Sequence, residues 1–427
     1  MFLTHAELQD TQAAALGRLL GGLRTNPFWA PRLEACGLAG ERPSLDTFRA
    51  RMPLATKAEL ADDQEQHPPY GSNLTRPLAD YIRVHQTSST TGAPLRWLDT
   101  PKGWDFLKRG WTEVLTAAGV TAEDRVFVAF SFGPFIGLWL AFEAAQELGA
   151  LAIPGGALSS QMRLQAMLAN EATVLCCTPT YALRLVEVAA EMDIDLSAAR
   201  IRAIIVGGEP GGGVPAVRER IERAWPGARL LDHYGLTEAG SVTYACPERP
   251  GVMHVAESLY LAEVIEPSTG EAITFDGQTS GELVLTTLGR GDSPVLRYRT
   301  ADIVCPLPRA TCACGRAELA LDGGVLGRAD DMVHVRGVNL FPSAVDAIVG
   351  GFEAVAEYRV RVRTERGMTE LDIDIEPMPA AIETHEQLRQ AVEEGFQRTY
   401  GLRVGVHIVA PGSLPRFEFK ARRWIRE

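Results

Sequence analysis

The run Thr87-Ser88-Ser89-Thr90-Thr91-Gly92-Ala93-Pro94 sets consecutive hydroxyl side chains before a glycine, which permits unusual backbone angles, and a proline, which fixes the exit. Such a loop offers hydroxyls and turned backbone N–H groups to phosphate oxygens. It is not a Walker A loop, because no Gly-Lys-Ser/Thr ending follows. A second set of residues has the donor types of a metal site. Cys246 and His254 share one segment, Cys312 and Cys314 form a Cys-x-Cys pair, and Cys305 stands nearby. Zn²⁺ favours tetrahedral Cys/His sets in structural sites, although this spacing fits no common finger pattern. Without a metal the same residues are buried free thiols. The tail Leu414-Pro415-Arg416 through Lys420-Ala421-Arg422-Arg423 is basic, and taken alone it reads as a solvated terminus.

These residues need elements to hold them. Residues 6–35 show apolar positions at helical spacing, with Pro27 interrupting, and Thr56 is placed to N-cap a short helix. From residue 125 the pattern alternates. Strand-like runs at 125–130, 150–153, 172–176, 201–206 and 228–231 are separated by helix-like runs at 136–148, 158–169, 179–190 and 214–225. Alternation of this kind predicts βαβ units and a mostly parallel sheet, with functional loops at the carboxyl ends of its strands. Loops at 131–135, 207–213 and 232–238 fall at such ends. From 242 to 325 helical periods give way to short β-like runs at 259–266, 281–287, 295–298 and 303–304, which predict a β-rich subdomain. Beyond residue 327 the order β-α-β-β-α-β predicts a small ferredoxin-like α+β domain. The expected division is 1–327 and 328–427.

The totals exclude several classes. A formal net charge of −12 without a long basic run argues against a nucleic-acid partner. No apolar run is long enough to span a bilayer, and the first residues lack the regions of a signal peptide, so a cytoplasmic protein without a membrane role is expected. Seven cysteines, an odd number in a long chain, do not resemble a disulfide framework; Cys36, Cys176 and Cys177 read as core.

Taken together, the stretches resemble the AMP-forming acyl/aryl acid ligases, and within them the phenylacetate–CoA ligase family. The Ser/Thr loop, Tyr234-Gly235-Leu236-Thr237-Glu238, Arg297-Tyr298-Arg299-Thr300-Ala301-Asp302, Gly327-Arg328-Ala329-Asp330-Asp331 and Leu414-Pro415-Arg416 with Lys420 appear in family order. The narrower family is carried by residues 54–60, by Thr178-Pro179-Thr180-Tyr181-Ala182-Leu183, by Gly208-Glu209-Pro210 and by Val338-Asn339-Leu340-Phe341-Pro342. The resemblance implies two steps. A carboxylate attacks the α-phosphorus of ATP, releasing pyrophosphate; a thiol, usually that of CoA, then displaces AMP.

The resemblance also implies roles. Thr87, Ser88, Ser89, Thr90, Thr91 and Gly92 would hold the departing phosphates. Thr237 would bond the α-phosphate, and Glu238 would hold Mg²⁺, a hard cation that takes oxygen ligands. Asp302 would accept the ribose hydroxyls, assisted by Arg328. Gly208, Glu209 and Pro210, with Asp232, His233, Tyr234 and Gly235, would flank the adenine. Lys420 would bridge the carboxylate and the α-phosphate, where negative charge gathers. Rotation of the small domain about a hinge at Asp330 would exchange Lys420 for another face, with Gly337 lining the pantetheine tunnel. Phe130, Phe132, Phe135, Ile136, Gly207, Tyr234 and Gly235 would form the acid pocket and favour a small aromatic acid, although at least one of the phenylalanines must be core. Relatives often carry the Cys/His residues and some bind zinc, so Cys246, His254, Cys312 and Cys314 are the expected ligands, with Cys305 in reserve; relatives are often homodimers.

Five departures stand out, one being His334 where a lysine usually follows the Asp pair. Ser89 replaces a usual Gly, Ala93 a frequent Lys, and Ala301 a usual Gly, so the turn at Ala301 must avoid positive φ or accept strain. Gly211 stands where the narrower family has Trp. Three alternatives remain open on sequence: a carrier-protein thiol as acceptor, an amine as acceptor, or a nucleotide-binding protein without chemistry.

Overall fold

The computed structural model describes residues 2–87, 94–130, 132–133, 136–336, 338–365, 368–378, 385–417 and 420–426. Its centre is a five-stranded parallel sheet in the order Leu151–Pro154, Arg125–Val128, Val174–Cys177, Ala203–Val206, Arg229–Asp232. Val174–Cys177 and Ala203–Val206 are buried at every position, which is why they read as unbroken apolar runs without alternation. Helices Ile136–Glu147, Ser160–Ala169, Pro179–Glu191 and Pro215–Ala224 make the crossovers, close to the predicted bounds. Helix Pro101–Ala117, which the sequence reading passed over, is capped by Thr100 and buries Trp104, Leu107, Trp111 and Leu115 on one face.

The β-rich region is one six-stranded sheet, ordered Thr243–Ala245, Val252–Val255, Ala320–Arg328, Tyr298–Pro306, Gly281–Thr287, Tyr260–Ile265, with every pairing antiparallel. The runs predicted at 295–298 and 303–304 are not two strands. Tyr298–Pro306 is continuous, and its register slips between Ile303 and Cys305 against the neighbouring strand. The amino-terminal helices form no separate body. Leu16, Trp29 and Phe48 share a core with Trp97, Leu288, Val295 and Tyr298. Helix Lys57–Gln66 opens with Thr56 as its N-cap, in a capping box with Glu59.

The small domain holds a four-stranded sheet ordered Gly405–Ile408, Met368–Pro377, Val355–Glu365, Trp424–Arg426. This corrects the ferredoxin-like reading. The strand predicted near 332–335 pairs instead with Val338–Leu340 in a separate hairpin, and the edge beside Val355–Glu365 is taken in parallel by Trp424–Arg426. Helices Pro342–Val349 and His385–Tyr400 bury Val345, Val349, Val392 and Phe396 with the strands' Val360, Ile373 and Ile375. Among the described residues no helix is long and apolar enough to cross a membrane.

Candidate active site

Strand order reverses between Arg125–Val128 and its two neighbours, and in open parallel sheets the crevice outside the carboxyl ends at such a point is where ligands bind. Gly207 follows Val206 and His233 follows Asp232 directly, so both loops leave the same carboxyl edge of the sheet, from the two strands beyond Val174–Cys177. At the mouth, Asp302 is buried and accepts a 2.6 Å hydrogen bond at Oδ2 from the Tyr234 hydroxyl. Arg328 Nη1 lies 3.7 Å from its Oδ1. Burial raises the Asp302 carboxyl to about 6, against the pull of Tyr234 and Arg328. Ala301, beside it, has φ +62. The turn therefore accepts the strain, held by Ala301 N donating to Glu282 Oε1 at 3.0 Å and Ala329 N donating to Ala301 O at 2.7 Å.

Glu238 is also buried; the Tyr298 hydroxyl donates to its Oε1 at 3.1 Å. Lys57 Nζ approaches the same oxygen to 4.0 Å. An acidic oxygen pair with accessible cationic company suits a hard cation and phosphate together. Thr237 and Glu238 are held from behind by a device the sequence reading missed. Arg290, fully buried, donates from Nη1 to both their carbonyls at 2.9 Å. Its Nε and Nη2 form a two-pronged pair with Asp99 at 2.8 and 2.7 Å. The sequence signal was an arginine between two glycines at 289–291, which had no motif to place it. Lys57, within the stretch 54–60, is a second cation to which the sequence alone assigns no role.

Thr87 closes the neck of the Ser/Thr loop: Leu95 N donates to its Oγ1 at 3.0 Å and Thr87 N donates to Leu95 O at 3.0 Å. Ser88, Ser89, Thr90, Thr91 and Gly92 lie outside the described residues, as do Phe135 and Gly337. In the glycine loop, Gly211 has φ +140, a region that disfavours the tryptophan of the narrower family. A Cβ on Gly213 would stand 2.2 Å from Gly323 O, so the loop packs backbone on backbone. Asp232 lies beneath Gly212 and burial raises its carboxyl to about 7.

The tail comes into this cleft. Lys420 Cε lies 3.5 Å from where a Cβ on Gly208 would be. Burial lowers the pKa of its ammonium, opposed by the nearby carboxylates of Glu209, Asp302 and Glu238. Glu209, expected beside the adenine, grips two backbone amides: Thr180 N donates to Oε1 at 2.9 Å and Ala421 N donates to Oε2 at 2.7 Å. It thus ties the residue after Lys420 to the large domain. Arg416 Nε meets Glu187 at 3.4 Å across the same boundary. At the expected hinge, Asp330 accepts from Arg328 at 2.9 and 3.1 Å, and its carbonyl accepts from Arg426 at 3.2 Å.

On the acid side, Phe130 and Ile136 are buried. Phe132 is turned onto the helix behind it, its ring 4.8 Å from that of Trp139 and 5.5 Å from that of Phe142, which are the contacts of a core residue. His233 lies against Gly207, with the Trp111 ring centroid 4.4 Å away. Its Nδ1 is 2.9 Å from Val206 O, a carbonyl that only accepts, so the proton is on Nδ1. Burial lowers the His233 pKa to about 4, leaving the ring neutral.

In the β-rich sheet the donor atoms of Cys246, His254, Cys312 and Cys314 all lie within 4.8 Å of one another. Cys246 Sγ and Cys312 Sγ are 3.7 Å apart, and Cys314 Sγ and His254 Nε2 are 3.4 Å apart. Tetrahedral Zn²⁺, with Zn–S of about 2.3 Å and Zn–N of about 2.0 Å, sets these separations near 3.8 and 3.5 Å, so the set fits that ion. Cys305 is not among the four; its thiol faces Ser280 and Asp322, and burial raises its pKa.

Residues 42–289 match the family described as AMP-binding enzyme, and residues 337–427 match the AMP-binding enzyme C-terminal domain. Phenylacetate-coenzyme A ligase of Escherichia coli K12 is 31% identical over 431 residues, covering 98% of this chain and 94% of the relative. The Thermus thermophilus enzyme of that name is 29% identical over 440 residues, covering 97% and 95%. Among solved structures, 2-hydroxyisobutyryl-CoA ligase in its postadenylation state with 2-HIB-AMP superposes at TM-score 0.93, with 29% identity over 100% of this chain and 91% of that one. The same ligase with 2-HIB-AMP and CoA in its thioesterification state, at the same identity and coverage, reaches 0.73. The small domain here thus stands as in the former state, in keeping with Lys420 at Gly208. On these grounds the chain belongs to the AMP-binding, adenylate-forming enzymes, in their phenylacetate–CoA ligase family.

Proposed function

We propose that this chain converts a small aromatic carboxylic acid to its acyl-adenylate with release of pyrophosphate, then to its CoA thioester with release of AMP. The observation that carries the reading is Lys420, brought by the small domain to Gly208 within the field of Asp302 and Glu238. A cation there draws the acid's carboxylate and the α-phosphate together and opposes the charge that gathers as the new P–O bond forms. Thr237 and Glu238, fixed by Arg290, face the phosphates; Asp302 receives the ribose hydroxyls. Mg²⁺, held by Glu238, would neutralise phosphate charge.

In the second step the thiolate attacks the acyl carbon and AMP leaves with the bonding pair. Lys420 occupies the approach, so the contacts at Glu209 and Glu187 must part first. Four relatives named phenylacetate-coenzyme A ligase support an aromatic acid and CoA. The Cys/His cluster would hold a structural Zn²⁺ that ties the 312–314 loop to the sheet; it takes no part in the chemistry. The test is exchange of labelled pyrophosphate into ATP across a panel of aromatic and aliphatic acids, followed by mass analysis of products with CoA and with carrier proteins. Aryl-CoA, AMP and pyrophosphate are expected. Release of ADP, or fatty acids outperforming aromatic ones, would contradict the reading.

A further inference from the structure

Gly208 and Gly207 form a wall without side chains. At one end stands Lys420, with Cε 3.5 Å from where a Gly208 Cβ would be. At the other stands His233, whose Cε1 would be 2.4 Å from a Cβ on Gly207, so only glycine leaves the imidazole its place. Gly207 and Gly208 are neighbours in the chain, so the imidazole and the lysine border the same short stretch of backbone.

The imidazole is fixed in one tautomer. Nδ1 donates to Val206 O, which leaves Nε2 with a lone pair that accepts and cannot donate. Nε2 has no hydrogen-bond partner among the described residues, and it is not one of the buried polar atoms sealed from solvent. Trp111 packs on the ring, and glycine faces it on the other side. An acceptor of fixed direction beside an indole ring selects for a partner that fills it, because an acid without a donor displaces the water there and forfeits the hydrogen bond. The depressed pKa agrees, since it keeps the lone pair free through the neutral range.

Resting on the acid-activating reading above, we infer that the acid carries a hydroxyl or amino group at the end remote from its carboxylate, and that His233 Nε2 accepts from it as the specificity-determining residue. His233 then reads the acid and not the adenine, where the sequence motif had put it.

The test compares matched acids in pyrophosphate exchange: hydroxybenzoates, aminobenzoates and hydroxyphenylacetates against their methyl and unsubstituted counterparts. The wild-type enzyme should favour the best donor-bearing acid in kcat/KM by about 10- to 100-fold over its isostere. His233→Leu should bring that ratio close to one, while His233→Gln, whose amide oxygen still accepts, should keep part of it. Equal use of donor-bearing and methyl acids by the wild-type enzyme would overturn the inference, even if no variant folds. So would a His233→Leu enzyme that keeps the ratio and loses affinity for ATP. If acids drive exchange without preference, the inference alone fails; if no acid drives exchange, the acid-activating reading fails and takes the inference with it.

Discussion

Glu209→Gln separates the two half-reactions. The Glu209 carboxylate accepts from Thr180 N at 2.9 Å within the large domain and from Ala421 N at 2.7 Å across the boundary. Glutamine offers one acceptor oxygen, so one amide is left facing an NH₂ group. A hydrogen bond to a charged group contributes about 1.5–3 kcal/mol. The Ala421 bond belongs to the orientation that brings Lys420 to Gly208, so its loss shifts the orientation equilibrium by about 10- to 150-fold at most. Pyrophosphate exchange with a saturating acid should fall by at least about tenfold relative to thioester formation from a preformed acyl-adenylate and CoA, both followed in single turnovers. A merely structural role would lower both together. Equal losses, or no loss of exchange, would refute the argument that Glu209 fastens the tail for the first step.

Ala301→Gly should stabilise the protein, because φ +62 strains alanine and not glycine. Strain of about 1–2 kcal/mol, less the larger unfolded-state freedom of glycine, leaves a net gain of about 0.5 kcal/mol and a Tm rise of about 0.5 °C by calorimetry; a fall in Tm would contradict it. The kcat/KM for ATP should climb with pH through a midpoint near 6 and level off about one unit above it, because burial raises Asp302 to about 6 and its protonated form loses acceptor capacity for the ribose; a flat profile from pH 5 to 8 would contradict that assignment. Purified protein should carry about one zinc per chain by elemental analysis, and Cys312→Ser should lose the metal and lower Tm by several degrees, whereas Cys305→Ser should keep it. Metal-free protein with unchanged Tm would remove the zinc assignment.

The parallel sheet was legible because both faces of Val174–Cys177 and Ala203–Val206 are covered, which makes them apolar without interruption. The four-residue Cys/His cluster was legible from donor types together with the family resemblance, although Cys246 and Cys312 meet only through long-range pairing of the β-rich strands. The small-domain sheet was less so. Met332–Val335 has strand composition, but its partner is its own hairpin, and composition does not reveal partners. Arg290 was invisible for a related reason: its role depends on Asp99, far away in sequence, and on carbonyls rather than side chains. Motif order placed His233 and Glu209 at the nucleotide. Only geometry shows one ring held against Gly207 and one carboxylate clasping the tail.

Lys420→Ala examines the central claim, that a cation delivered by the small domain makes the carboxylate reactive toward ATP. With an acid the wild-type enzyme uses, pyrophosphate exchange should fall by about 10²–10³ or more, while thioester formation from preformed acyl-adenylate falls far less. Exchange at an undiminished rate would contradict the account.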